Sequence, residues 1–119
     1  MTKIFIERAA LWLVITAAVV LALLPRPPKL FLDQFGDKFE HMTAFAVMAL
    51  LAAIAYPSAR LTRIAERLSF LGALIEVVQS IPALHRDCDI MDWVADTSSI
   101  IVMLSLVALI RWRRQPMSD

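Results

Sequence analysis

Two short polar stretches, Asp37-Lys38-x-x-His41 and Arg86-Asp87-x-Asp89-x-x-Asp92, interrupt a chain that otherwise reads as lipid-soluble helix. Between them, Glu76 and Gln79 sit inside an apolar run. Charge in or against a bilayer is expensive, so such groups pair with one another or act on something. Carboxylates with a histidine suit general acid and base work. Lys38 and Arg86 are suited to holding a phosphate or carboxylate, arginine in bidentate fashion. His41, Glu76 and Asp92 also offer ligands for a hard divalent metal, but no tight H-x-x-x-H motif supports one, and no metal site is expected. There is no G-x-S-x-G and no Walker loop, Ser98 and Ser99 lack a nucleophile's signature, and no cofactor can be named. The single cysteine, Cys88, rules out an intrachain disulfide.

The elements that must position these groups are apolar blocks. The 119 residues are 60% hydrophobic with only 2 glycines, and the mean hydropathy is +0.69. That apolar fraction falls in segments of membrane length, which a soluble domain avoids. Lys and Arg gather at the ends of the blocks rather than on a basic face, which argues against nucleic-acid binding.

The first block ends at Pro25-Arg26-Pro27-Pro28. Its rival reading is a signal peptide, disfavoured because Leu24 would occupy the cleavage position. The connection that follows carries Leu30, Phe31, Leu32 and Phe35, an apolar side for the headgroup zone or for packing on helix ends. The second block closes at Pro57-Ser58, and Arg60, Arg63 and Arg67 read as a polar link. The third, Leu68 to Ile81, is short, roughly 21 Å of helix, and reads as a span screened from lipid by its neighbours. The fourth runs to the Arg111-Trp112-Arg113-Arg114 anchor. The expectation is an all-α integral membrane bundle, one domain, with four transmembrane helices at about 5–24, 39–56, 66–81 and 90–111.

With four spans, both termini and the middle link share one side. That side carries Lys3, Arg8, Arg60, Arg63, Arg67, Arg111, Arg113 and Arg114, against Arg26, Lys29, Lys38 and Arg86 opposite. The imbalance puts the termini in the cytoplasm and both polar motifs at the outer face. Asp89, Asp92, Asp96 and Ser99 follow one helical stripe, as do Lys38, His41 and Phe45. Gly72 lies one turn before Glu76 on the face that Gln79 shares, where it permits close helix approach. Facing inward, the stripes would enclose an outward-facing pocket lined by Lys38, His41, Glu76, Gln79, Arg86, Asp89, Asp92 and Asp96, with Glu76 roughly 8 Å deep and Asp96 at comparable depth.

The order Asp37-Lys38-x-x-His41-x-x-x-Phe45, Glu76-x-x-Gln79, Arg86-x-x-Asp89-x-x-Asp92 resembles the VanZ-like family of small multi-pass bacterial membrane proteins. The match covers about residues 37 to 100. The family pattern commonly continues with Asn and then Gly, where this chain has Asp96 and Ser99. The family is named for an accessory protein of glycopeptide-resistance clusters, associated with reduced teicoplanin susceptibility. The resemblance therefore implies a bacterial cytoplasmic-membrane protein that binds a lipophilic or lipid-linked envelope molecule at the outer leaflet.

Three readings follow. In the first, the pocket binds such a molecule; whether Glu76 or Asp92 then acts as base and His41 as proton carrier stays open, with Asp37, Lys38, Gln79, Arg86, Asp89 and Asp96 contacting the ligand. In the second, the charge network fixes helix packing and function lies with a partner. In the third, proton-coupled transport, four short helices would need a homo-oligomer.

Overall fold

The computed structural model describes residues 2–23, 37–81 and 90–116; for Asp37 and Lys38 the description covers the backbone alone. The described chain is all-helical, with α1 Lys3–Leu23, α2 Asp37–Ala55, α3 Leu61–Gln79 and α4 Ile90–Arg114. Alanine and leucine, both strong helix formers, recur in every element, and several ends have a local cause. Thr2 accepts a hydrogen bond from the Phe5 amide on its hydroxyl at 3.3 Å and caps α1. Pro57 stops α2, and a turn closed by Ala59 N–H to Tyr56 O leads into α3. The Ser80 amide caps α3 on the carbonyls of its last turn.

Interhelix hydrogen bonds fix the topology. Gln79 near the end of α3 reaches Ala22 near the end of α1, so these two run parallel. Arg111 near the end of α4 reaches Ala53 near the end of α2, so those two run parallel as well. Arg8 near the start of α1 reaches Ala55, which sets the two pairs antiparallel to each other. The result is an up-down-up-down bundle. In it α2 packs on α1, α3 and α4, and α3 packs on α1 and α4. The central helix is alanine-rich on its buried side, with Ala49, Ala52, Ala53 and Ala55 beside Phe45 and Met48. Small side chains let three neighbours approach it closely.

The surface is apolar on every helix. Trp12, Leu13 and Val20 of α1, Val47, Leu50 and Ile54 of α2, Phe70, Leu74 and Val77 of α3, and Ile101, Val102, Leu106 and Leu109 of α4 are all exposed. Glu76, Gln79 and Asp96 are buried. A soluble protein sorts these types the other way round. Helices α1 and α4 are each long and apolar enough to cross a membrane, and Phe39–Ala55 is a shorter apolar helix.

Two expectations about α3 need correction. It starts at Leu61 rather than near 66, so Arg63 and Arg67 belong to its first two turns instead of a link. The arginines interrupted the apolar run without interrupting the helix, since Arg is a good helix former. Nor is α3 screened by its neighbours: Phe70, Leu74 and Val77 form an exposed apolar face. The stretch Pro82 to Asp89, with Arg86, Cys88 and Asp89, lies outside the described residues, as does the connection from Pro25 to Gly36.

Candidate functional site

The three inward faces read from the sequence are the buried faces of the bundle. On α3 the buried residues Ile64, Leu68, Gly72, Ile75, Glu76 and Gln79 recur every three to four positions. On α4, Asp96, Ile100 and Leu104 form a buried row, with Asp92 and Ser99 half-buried beside it. On α2, half-buried His41 precedes buried Phe45 and Met48 on one stripe. The α2 and α4 starts and the α3 end lie together at one end of the bundle, which brings His41, Glu76, Gln79 and Asp92 to that end. Asp37 is the first residue of α2 and Lys38 the second, so both belong to the same end.

Depth follows from register. The Ser69 and Thr97 hydroxyls meet at 2.9 Å, which sets α3 against antiparallel α4. Counting outward from that pair, Glu76 lies about 3 Å from the height of Asp92. Asp96 neighbours Thr97 and so lies about 9 Å deeper than Glu76, near the middle of α3. The expectation that Glu76 and Asp96 share a depth is corrected accordingly. Both are withdrawn from solvent, Glu76 at 7% and Asp96 at 2% exposure. The acidic groups therefore descend from buried Glu76 through half-buried Asp92 to buried Asp96 rather than forming one layer.

Polar neighbours tie this region together. Gln79 Nε2 donates to the Ala22 carbonyl at 2.8 Å, capping the end of α1. Ser99 Oγ donates to the Met42 carbonyl at 2.6 Å, one residue from His41. Trp93 Nε1 donates to the Ser69 carbonyl at 2.9 Å, and Ser98 Oγ donates back to Val94. Gly72 packs beneath aromatic rings: a Cβ placed there would lie 3.4 Å from Trp93 and 3.5 Å from Phe45. Those are ordinary contact distances, so the close approach is of side chains and does not demand glycine.

Spacing alone passed over Glu40. It is half-buried, with its Oε1 shielded from solvent. The signal was available, because Glu40 lies four and eight residues before Ala44 and Met48 on the inward stripe of α2. Among the described residues, no group of three or more His, Cys, Asp and Glu side chains has the geometry to hold a metal ion. No family model matches this chain, and comparison with curated proteins and with solved structures finds no match.

Proposed function

We propose that the chain is a four-span protein of a bacterial cytoplasmic membrane whose outward-facing acidic end binds a lipophilic or lipid-linked envelope molecule. The observation that carries this reading is the burial of Glu76 and Asp96 inside a bundle whose outer surface is apolar on all four helices. Helix packing is achieved at lower cost by apolar residues of similar volume, so ionisable groups kept at that depth point to use. Exposed apolar side chains on α2 and α3 support lipid contact for these helices as well as for α1 and α4. Cytoplasmic termini follow from the arginines gathered at the opposite end.

In this reading half-buried His41 and Asp92 meet the ligand's polar head, with buried Glu76 level with the start of α4, about 3 Å nearer the mouth than Asp92. Lys38 and Arg86 hold an anionic group, with Asp37, Gln79, Asp89 and Asp96 completing the polar surround. The resemblance to VanZ-like proteins makes glycopeptide susceptibility the phenotype to examine. A second reading, that the polar residues fix helix packing, is favoured by the Gln79 and Ser99 hydrogen bonds to neighbouring backbones.

One experiment separates them. Wild type, Glu76→Gln and Asp92→Asn are expressed in a teicoplanin-sensitive Gram-positive host at membrane levels matched by immunoblot. Binding predicts that wild type raises the inhibitory concentration and that equally abundant isosteric variants do not. Loss of the variants from the membrane would favour the packing reading. No protection by wild type would remove the glycopeptide link.

A further inference from the structure

The end of the bundle opposite the acidic residues has its own built feature. Arg8 donates from Nε to the Ala55 carbonyl at 3.1 Å, and its guanidinium carbon lies 4.3 Å from the centre of the Tyr56 ring. Trp12 Nε1 donates to the Tyr56 hydroxyl at 3.2 Å. The guanidinium is thus held on one edge and one face, while its two terminal nitrogens make no hydrogen bond among the described residues. That remaining edge has the fork geometry that matches a phosphate. Beside it runs an open groove of about 410 Å³ lined by Thr2, Ile4, Phe5, Arg8, Ala9 and Trp12. Its walls are apolar apart from Thr2 and Arg8, and Ile4, Phe5 and Trp12 are exposed.

We infer that this groove seats an anionic phospholipid, its phosphate on the terminal nitrogens of Arg8 and an acyl chain along Ile4, Phe5, Ala9 and Trp12. Charge complementarity favours that occupant. Arg60, Arg63, Arg67, Arg113 and Arg114 lie exposed at the same end, where Glu7 and Glu66 are the acidic side chains among the described residues and Glu7 is engaged by Lys3 at 3.8 Å. A basic end with an apolar wall and an interfacial tryptophan fits a lipid of the cytoplasmic leaflet. The inference rests on the membrane reading above but uses none of the acidic residues.

The test is native mass spectrometry of the full chain in detergent, titrated with phosphatidylglycerol or with phosphatidylcholine of the same acyl chains. Wild type should retain the anionic lipid preferentially, and Arg8→Gln should lower its retention about fivefold. Arg114→Gln, an exposed charge outside the groove, should change retention less than about twofold. Equal retention of both lipids, or equal losses from the two arginine variants, would overturn the site. Phe5→Ala keeps Arg8 and its bonds to α2, so it serves if Arg8→Gln fails to fold; unchanged retention in Phe5→Ala would also overturn the site. Displacement of the lipid by excess inorganic phosphate would reduce the site to an ion site and refute the acyl-chain contact. Recovery of the protein outside the membrane fraction would remove the membrane reading itself, whereas membrane recovery without lipid preference removes this inference alone.

Discussion

The two ends of the bundle treat charge in opposite ways. At one end, α2 opens with Asp37 and α4 carries Asp92 in its first turn, acids placed where helix dipoles favour them. At the other, α2 has no basic residue in its last turn, yet its final carbonyls at Ala53 and Ala55 receive Arg111 from α4 and Arg8 from α1. Arg8 stands at the wrong end of its own helix and the right end of its neighbour's. Glu76, near the C-terminal end of α3, is likewise against its own dipole but lies level with the start of α4. The lesson is that in an antiparallel bundle a charge is judged by the helix it abuts, not the helix it belongs to. The arginine end joins helices through their terminal carbonyls, whereas the other end turns a carboxylate inward at Glu76.

The sharpest way to break that contrast is to strip both arginines. Arg8→Met with Arg111→Met should destabilise the bundle by about 3 kcal/mol, from two charge-assisted hydrogen bonds at about 1.5 kcal/mol each. Detergent melting reads this out, and an unchanged melting temperature would mean that the arginines are solvated anchors. At the acidic end, Gln79→Leu should cost about 1–2 kcal/mol, because it leaves the Ala22 carbonyl without its donor. Glu76→Gln should cost less than Gln79→Leu if the carboxylate serves a ligand; a larger loss on the same melting curve would reverse the assignment of the two ends. Ser99→Ala, which removes a hydroxyl bonded across helices, should cost about 0.6 kcal/mol, typical of interhelix hydrogen bonds in membranes. The smallest effect is expected from Gly72→Ala, within about 0.5 kcal/mol of zero, since the new methyl group fits against Phe45 and Trp93. A large loss there would show that the rings cannot accommodate even ordinary contact.

Much of the helical arrangement was legible because composition and periodicity act locally. Apolar runs bounded by prolines and arginines located four helices, and spacings of three and four placed Glu76, Gln79 and Asp96 on inward faces. The start of α3 was misplaced because an arginine can end an apolar run without ending a helix. Glu40 is not singled out by the motif spacing, because it falls on the stripe that runs back from Met48 through Ala44 rather than on that of Lys38 and His41.

What the sequence determined by itself is the helical class, the apolar surface and the faces on which polar residues fall, since these depend on a residue's own type and its neighbours within a turn. Only tertiary structure decided relative height and partnership. The contact between Ser69 and Thr97 sets Asp96 deeper than Glu76. The reach of Arg8, Arg111 and Gln79 to carbonyls dozens of residues away gives each of them a partner on another helix. Such pairings depend on how far each helix slides along its neighbour, and that offset is settled by packing across the bundle rather than by spacing along the chain.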